Sequence, residues 1–210
     1  MRADGIQRTE RSHEATASQA NAGQLVTWVF IPLLGTSVVL ADERTTGTLR
    51  RLLTTPTSKS TFLLGTFVGQ LVPAWVQMAI LIGFGGLVMD VYWGGSIVGL
   101  LVLLLAFSLA SVAFGTLMGT LVKTPGQVTN FSILSGMAMA LLGGCWWPSE
   151  FFPEALLTAN KVLPTSWVME GLNGLMLQGF GLMEVLPLAA VLLGFAIVFF
   201  LIGVWRFRFE

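Results

Sequence analysis

The chain has 210 residues, of which 54% are hydrophobic and 10% charged, with eleven Lys and Arg balancing eleven Asp and Glu and a mean hydropathy of +0.79. A soluble domain carries about 25% charge, so this composition excludes an ordinary water-facing fold and describes a polytopic membrane protein. Zero net charge removes the electrostatic case for nucleic acid; one cysteine, Cys145, and one histidine, His13, exclude an internal disulfide and speak against a zinc or haem site.

Residues 1–23 form a polar tail, placed outside, rich in Ala, Ser, Thr and Gln. It lacks the apolar run of a signal peptide. It reads either as a disordered leader or as the end of an outside region whose preceding span is missing. From residue 24 to 210 the chain reads as one transmembrane domain. A bilayer core about 30 Å thick needs roughly 20 apolar residues in helix. Five stretches qualify: Gln24 to Ala41, Thr61 to about Met89, Ser96 to Val122, Val128 to Trp146 and Val185 to Trp205. Pro32 lies inside the first, and Pro73 is expected to bend or break the second. The second and third exceed a minimal span, which predicts tilt. None holds an ionised side chain in its central part, as the cost of central charge requires.

Between the first two spans lies the polar, basic stretch DERTTGTLRRLLTTPTSKS, Asp42 to Ser60. Asp42 can cap a short helix. Leu49, Leu52 and Leu53 then share one face, flanked by Arg50 and Arg51, and Thr54, Thr55 and Pro56 end it. Such a helix suits either a lipid surface or a groove on a partner protein.

Charge sorting sets the orientation. With Asp42–Ser60 in the cytoplasm, Lys123, Arg206 and Arg208 fall inside too. Asp90, Glu150, Glu154, Glu170 and Glu184 fall outside, with Lys161 as their one base. The N-terminus is then outside and the C-terminus cytoplasmic. The tail fits the rule least well, with Arg2, Arg8 and Arg11 beside Asp4, Glu10 and Glu14.

Within the second span, Gln70 and Gln77 fall near one face, with Pro73 between them. Amides in hydrocarbon need partners. They line a translocation path or glue helices together, and packing is the favoured reading. Gly65/Gly69, Gly95/Gly99 and Gly115/Gly119 have the spacing of close helix contacts. Tyr92 and Trp93 read as interfacial anchors. After the fourth span, Pro148, Pro153 and Pro164 cut the chain into short helices, expected over Glu154 to Val162 and Ser166 to Gln178. Cys145 reads as a small buried apolar residue.

The segment LADERTTGTLRRLLTTPTSKSTFLLG resembles the signature of permease subunits of type-2 ABC transporters, drug- or lipid-exporter-like. The matching residues are Glu43, Arg44, Gly47, Thr48, Leu49, Arg51, Leu53, Thr55, Pro56 and Ser58. GQLVTWVFIPLLGTS, FSLASVAFGTLMGTLVKTPGQ and WWPSEFFPEALLTANKVLPTSWVMEGLNGLM are similar to further segments of that family, in the same order. The resemblance implies an all-α membrane bundle of five transmembrane helices, with a cytoplasmic coupling helix and an outside re-entrant helical hairpin. The first of the family's six spans is lacking. The coupling helix would hold Glu43, Arg44, Gly47, Thr48, Leu49, Arg50, Arg51, Leu52, Leu53, Thr55 and Pro56. The hairpin, carrying Trp147, Pro148, Glu150, Pro164 and Glu170, would be an outer gate or a lid over helix ends.

The implied function is the membrane subunit of an ATP-driven exporter in the cell membrane, moving small amphiphilic, drug-like or lipid-linked cargo. No Gly-x4-Gly-Lys-Ser/Thr phosphate loop occurs. ATP and Mg would therefore sit on a separate ABC ATP-binding subunit, with no cofactor on this chain. Other expected partners are a second permease chain, as homodimer or heterodimer, and membrane lipid. The alternative is a non-transporting scaffold or a degenerate, truncated permease. An intramembrane enzyme is disfavoured by the absence of central carboxylate pairs or Ser/His constellations, and an ion-coupled carrier by the absence of buried acids or histidine.

Overall fold

The computed structural model describes residues 18–31, 33, 34, 38, 42, 59–88, 90–121, 125–147 and 152–206. Among these are seven helices and no strand: α1 (18–31), α2 (Lys59–Val88), α3 (Ile97–Leu121), α4 (Pro125–Leu142), α5 (Glu154–Asn160), α6 (Pro164–Leu177) and α7 (Leu182–Arg206). Three are long and apolar enough to cross a membrane: α2 over Leu64–Val88, α3 and α7. Of the other two expected spans, α4 is shorter, with Gln127, Thr129 and Asn130 near its start. The first is described only in part. It begins at residue 18, six residues before the expected Gln24, so the end of the polar tail is already helical.

Of the bend or break expected at Pro73, a break does not occur: α2 runs through it. A mid-helix proline withholds one hydrogen bond and crowds the preceding turn, and both costs fall where Pro73 is exposed. The short helices Glu154–Asn160 and Pro164–Leu177 lie close to their expected places. Proline sits in the first turn of α6, where its missing N–H has no intrahelical partner to lose.

Helix α3 is the hub. It is buried on most sides from Gly99 to Thr120 and packs against α2, α4, α6 and above all α7. Its polar side chains are satisfied within the helix. Ser108 Oγ donates to the Leu105 carbonyl (2.8 Å), Ser111 Oγ to Phe107 (2.7 Å), Thr116 Oγ1 to Val112 (2.8 Å) and Thr120 Oγ1 to Leu117 (2.7 Å). Small residues therefore let helices approach closely without orphaning a hydroxyl in apolar surroundings. Ala110 and Ala113 meet Ala196 of α7. Aromatic rings fill the wider gaps. Phe30 of α1 lies 5.9 Å from Phe107 and 6.2 Å from Phe114, and Phe114 lies 5.2 Å from Phe199 of α7. Outward faces are apolar, as on α2 with Leu64, Val68, Val72, Val76, Ile80 and Phe84, which hydrocarbon accepts.

The link between α2 and α3 folds back over α2. Trp93 Nε1 donates to the Ile82 carbonyl (3.1 Å), and its ring lies against Gly85. Trp93 is thus a packing residue, whereas Tyr92 is exposed. The turn then meets α6 at Gly94, whose φ is +94° and whose added Cβ would come 2.5 Å from the Leu175 carbonyl oxygen. Gly94→Ala combines backbone strain with a backbone clash, so it is expected to cost at least about 2 kcal/mol. A thermal midpoint several degrees lower in detergent checks this. Gly65→Ala is the control, since nothing lies within 4 Å of that position, and it should leave the midpoint unchanged or raised.

Candidate functional site

Two polar junctions hold α1 in the bundle. The first faces α2. Trp28 is 59% exposed on α1, and its Nε1 donates to Gln24 Oε1 one turn earlier (2.8 Å). Its carbonyl accepts from Gln77 Nε2 of α2. A helical carbonyl has a second lone pair, so this bond joins the helices without breaking the ladder. Gln77 therefore ties α2 to α1. Gln70 is half-buried two turns earlier, and Pro73 between them is exposed.

The second junction lies where α4 ends. Thr27 of α1 is buried, 5% exposed, and its hydroxyl accepts from Trp146 Nε1 (3.1 Å). One turn earlier, Gly23 sits directly on the Cys145 carbonyl, leaving no room for a Cβ. Cys145 is buried, as expected of it. Trp146 serves this junction with its indole N–H while part of its ring stays exposed; Trp147 is exposed.

The hairpin α5–α6 is built onto the same end. Thr165 Oγ1 donates to the Met139 carbonyl of α4 (2.7 Å), and Gly143 leaves space for that side chain. The turn is closed by Ser166 Oγ donating to the Asn160 carbonyl (2.7 Å) and by Trp167 Nε1 donating to the Lys161 carbonyl (2.8 Å). Pro164 is buried at the start of α6 and Glu170 is exposed on it. Gly171 admits Leu103 of α3. At the start of α7, Glu184 Oε2 accepts from the Gly181 N–H (2.9 Å), placing a carboxylate at a helix N-terminus. The start of α1, the α2–α3 link, the end of α4 and the start of α7 thus lie at the hairpin end.

Glu43, Arg44, Gly47, Thr48, Leu49, Arg50, Arg51, Leu52, Leu53, Thr55 and Pro56, and in the hairpin Pro148 and Glu150, lie outside the described residues. Gly65 and Gly69 meet no neighbour within 4 Å; the close approaches fall instead at Gly23, Gly136, Gly143 and Gly171. Sequence reasoning passed over Thr27, Trp28 and Gly23. The Gln24 amide and the Thr27 hydroxyl of α1 were the available signal, since polar groups at span depth need partners. Among the described residues no cluster of His, Cys, Asp or Glu could hold a metal.

A helical bundle with long apolar spans, glycine-mediated contacts and an amide, Gln77, tied between helices defines a multi-pass membrane protein. Residues 6–205 match the family model described as "ABC-2 family transporter protein". This chain belongs to that family and is a membrane chain of the permease type. It is 28% identical over 193 residues to the linearmycin resistance permease protein LnrN of Bacillus subtilis, covering 92% of this chain and 50% of that protein. It is 29% identical over 132 residues to the probable multidrug ABC transporter permease YbhR of Escherichia coli, covering 63% and 36%. To ABC transporter G family member 20 of Dictyostelium discoideum it is 23% identical over 147 residues, covering 70% and 20%. The chain therefore spans half or less of these relatives' lengths.

Gln77→Leu is expected to weaken the α1–α2 junction by about 0.6–1.7 kcal/mol, the range for interhelical hydrogen bonds in membranes. Faster amide exchange confined to α1 and the facing part of α2 is the expected readout. Unchanged protection would contradict a joining role for Gln77.

Proposed function

We propose that this chain is the membrane-spanning subunit of an ATP-driven exporter, powered by a separate ABC ATP-binding subunit. The observation that carries the reading is the family match over residues 6–205, which takes in the Glu-Arg-x-x-Gly-Thr-Leu run at Glu43–Leu49. The bundle's layout supports it. The hairpin and the links that carry Asp90 and Glu184 share one end, and the sequence sorts its basic residues Arg44, Arg50, Arg51 and Lys59 away from those acidic links, the asymmetry expected of cytoplasmic basic loops. On this reading five helices cross the bilayer, with α1 and α4 joining the three most apolar ones. The N-terminus is outside and the C-terminus cytoplasmic.

The short helix around Leu49, Leu52 and Leu53 docks in a groove of the ATP-binding subunit, which holds ATP and Mg. Arg44, Arg50 and Arg51 set its register by charge, a role suited to the guanidinium fork. The chain works as a dimer with itself or a second permease chain. The Gln127–Asn130 end of α4 is costly to leave against lipid and suits protein or an aqueous path. Two relatives are named for resistance and multidrug transport. With the apolar interior, that supports amphiphilic, drug-like or lipid-linked cargo. The hairpin α5–α6 serves as the outer gate.

The double variant Glu43→Ala, Arg51→Ala is expected to insert normally and to lose cargo-stimulated ATP hydrolysis by at least about tenfold, as loss of a docked charge pair implies. ATPase assays on reconstituted complex measure this. Full stimulation in a correctly inserted double variant overturns the docking reading.

A further inference from the structure

The outward surface of the hairpin carries two opposite charges that do not meet. Lys161, at the end of α5, is the only Lys or Arg between Lys123 and Arg206. In the first turn of α6, Ser166 Oγ and Trp167 Nε1 bond the Asn160 and Lys161 carbonyls, so the end of α5 lies over that side of α6. Glu170 falls one turn after Ser166 and Trp167, on the same face. Lys161 and Glu170 are both exposed, and among the described residues neither side chain has an ion pair. The other described acids of this end are placed differently. Glu184 caps α7, while Asp90 lies on the α2–α3 link and Glu154 in the first turn of α5. Glu170 also lies at span depth. Gly171 beside it admits Leu103, about 9 Å along α3 from Ile97. A carboxylate on an outward face at that depth calls for a basic partner rather than lipid. Apolar surface adjoins the two charges: residues 153–159 are exposed throughout, Leu156 and Leu157 included, and Val162 is 71% exposed.

We infer that a second copy of this chain docks on this surface, with Lys161 of each copy paired to Glu170 of the other. This rests on the dimer of the transporter reading above, and it names both the partner, a like chain, and the face it meets. A two-fold axis makes every contact reciprocal. One face that bears a base and an acid at a fixed spacing is therefore complementary to itself, and the axis makes the pair twice. Each copy brings the one base of this end to the acid that its own chain leaves unpaired. Val162, next to Lys161, adds apolar area to the contact, and excluding water there strengthens each pair.

Full-length chains labelled with a donor or an acceptor fluorophore are reconstituted together in lipid vesicles, and energy transfer between copies reads association. Lys161→Glu and Glu170→Lys each set like charges against one another twice. Each alone is expected to weaken association by at least about tenfold in chain-to-lipid ratio. The milder Lys161→Gln and Glu170→Gln, which remove attraction without adding repulsion, are expected to weaken it several-fold. The decisive arm mixes the two reversals. A K161E copy offers two acids to the two bases of an E170K copy, so transfer between them should return to within about twofold of wild type. That recovery also shows both reversed chains to be folded. Recovery in the double variant K161E/E170K without recovery in the mixture shows a pair within one chain and overturns the inference. Transfer that persists at the wild-type level in all four single variants overturns it too, and leaves the surface to lipid. A wild-type chain that does not associate with itself overturns it in favour of a different permease chain. The transporter reading is judged separately, by whether the wild-type chain recruits an ATP-binding subunit, and survives each of these failures.

Discussion

Every polar group placed in hydrocarbon must find its partner inside the protein, and the architecture of this chain follows from that constraint. Backbone groups meet it by forming helices. The side chains of α3 meet it locally, with Ser108, Ser111, Thr116 and Thr120 each donating to a carbonyl of their own helix. That economy frees α3 to be buried on most sides by apolar and small residues. It becomes the surface on which α7, α6, α2 and the aromatic residues of α1 assemble. A charged or unpaired group on the buried face of α3 would disrupt the hub, since no water is at hand to compensate.

Polar groups off the hub act differently. Gln77 and Thr27 make their bonds between helices, so they define which helix sits beside which. In lipid, apolar surface alone gives weak preference among neighbours, because the acyl chains are as apolar as leucine. A few hydrogen bonds and close glycine contacts therefore carry much of the specificity of the bundle. Helix α1 illustrates this. One turn of it binds α2 through the Trp28 carbonyl and the turn that follows α4 through the Thr27 hydroxyl, while Phe30 packs on α3. In the sequence it is the helix that precedes the basic stretch.

The hairpin is anchored at the start of α6 and exposed on its outward face. Thr165 fixes the start of α6 to α4, and Gly171 and Gly94 let it lie against α3 and the α2–α3 turn. Its outward residues, Trp147, Val162 and Glu170 among them, are exposed.

Composition and apolar run length by themselves determined that the chain is a helical membrane protein, where its long apolar helices lie, and that two short helices precede the last. These are local properties: a residue's hydropathy and a proline's missing N–H do not depend on distant neighbours. The order of motifs placed it in its family. Pairing was left to the tertiary structure. Gln77 and Trp28 are 49 residues apart, and Trp146 and Thr27 are 119 apart. Nothing in the spacing of either set names the other. Glycine spacing misled for the same reason: Gly65 and Gly69 have the contact pattern but meet no neighbour, while the isolated Gly23 and Gly136 do. A missing side chain permits close approach, and only the fold decides whether a neighbouring helix arrives there.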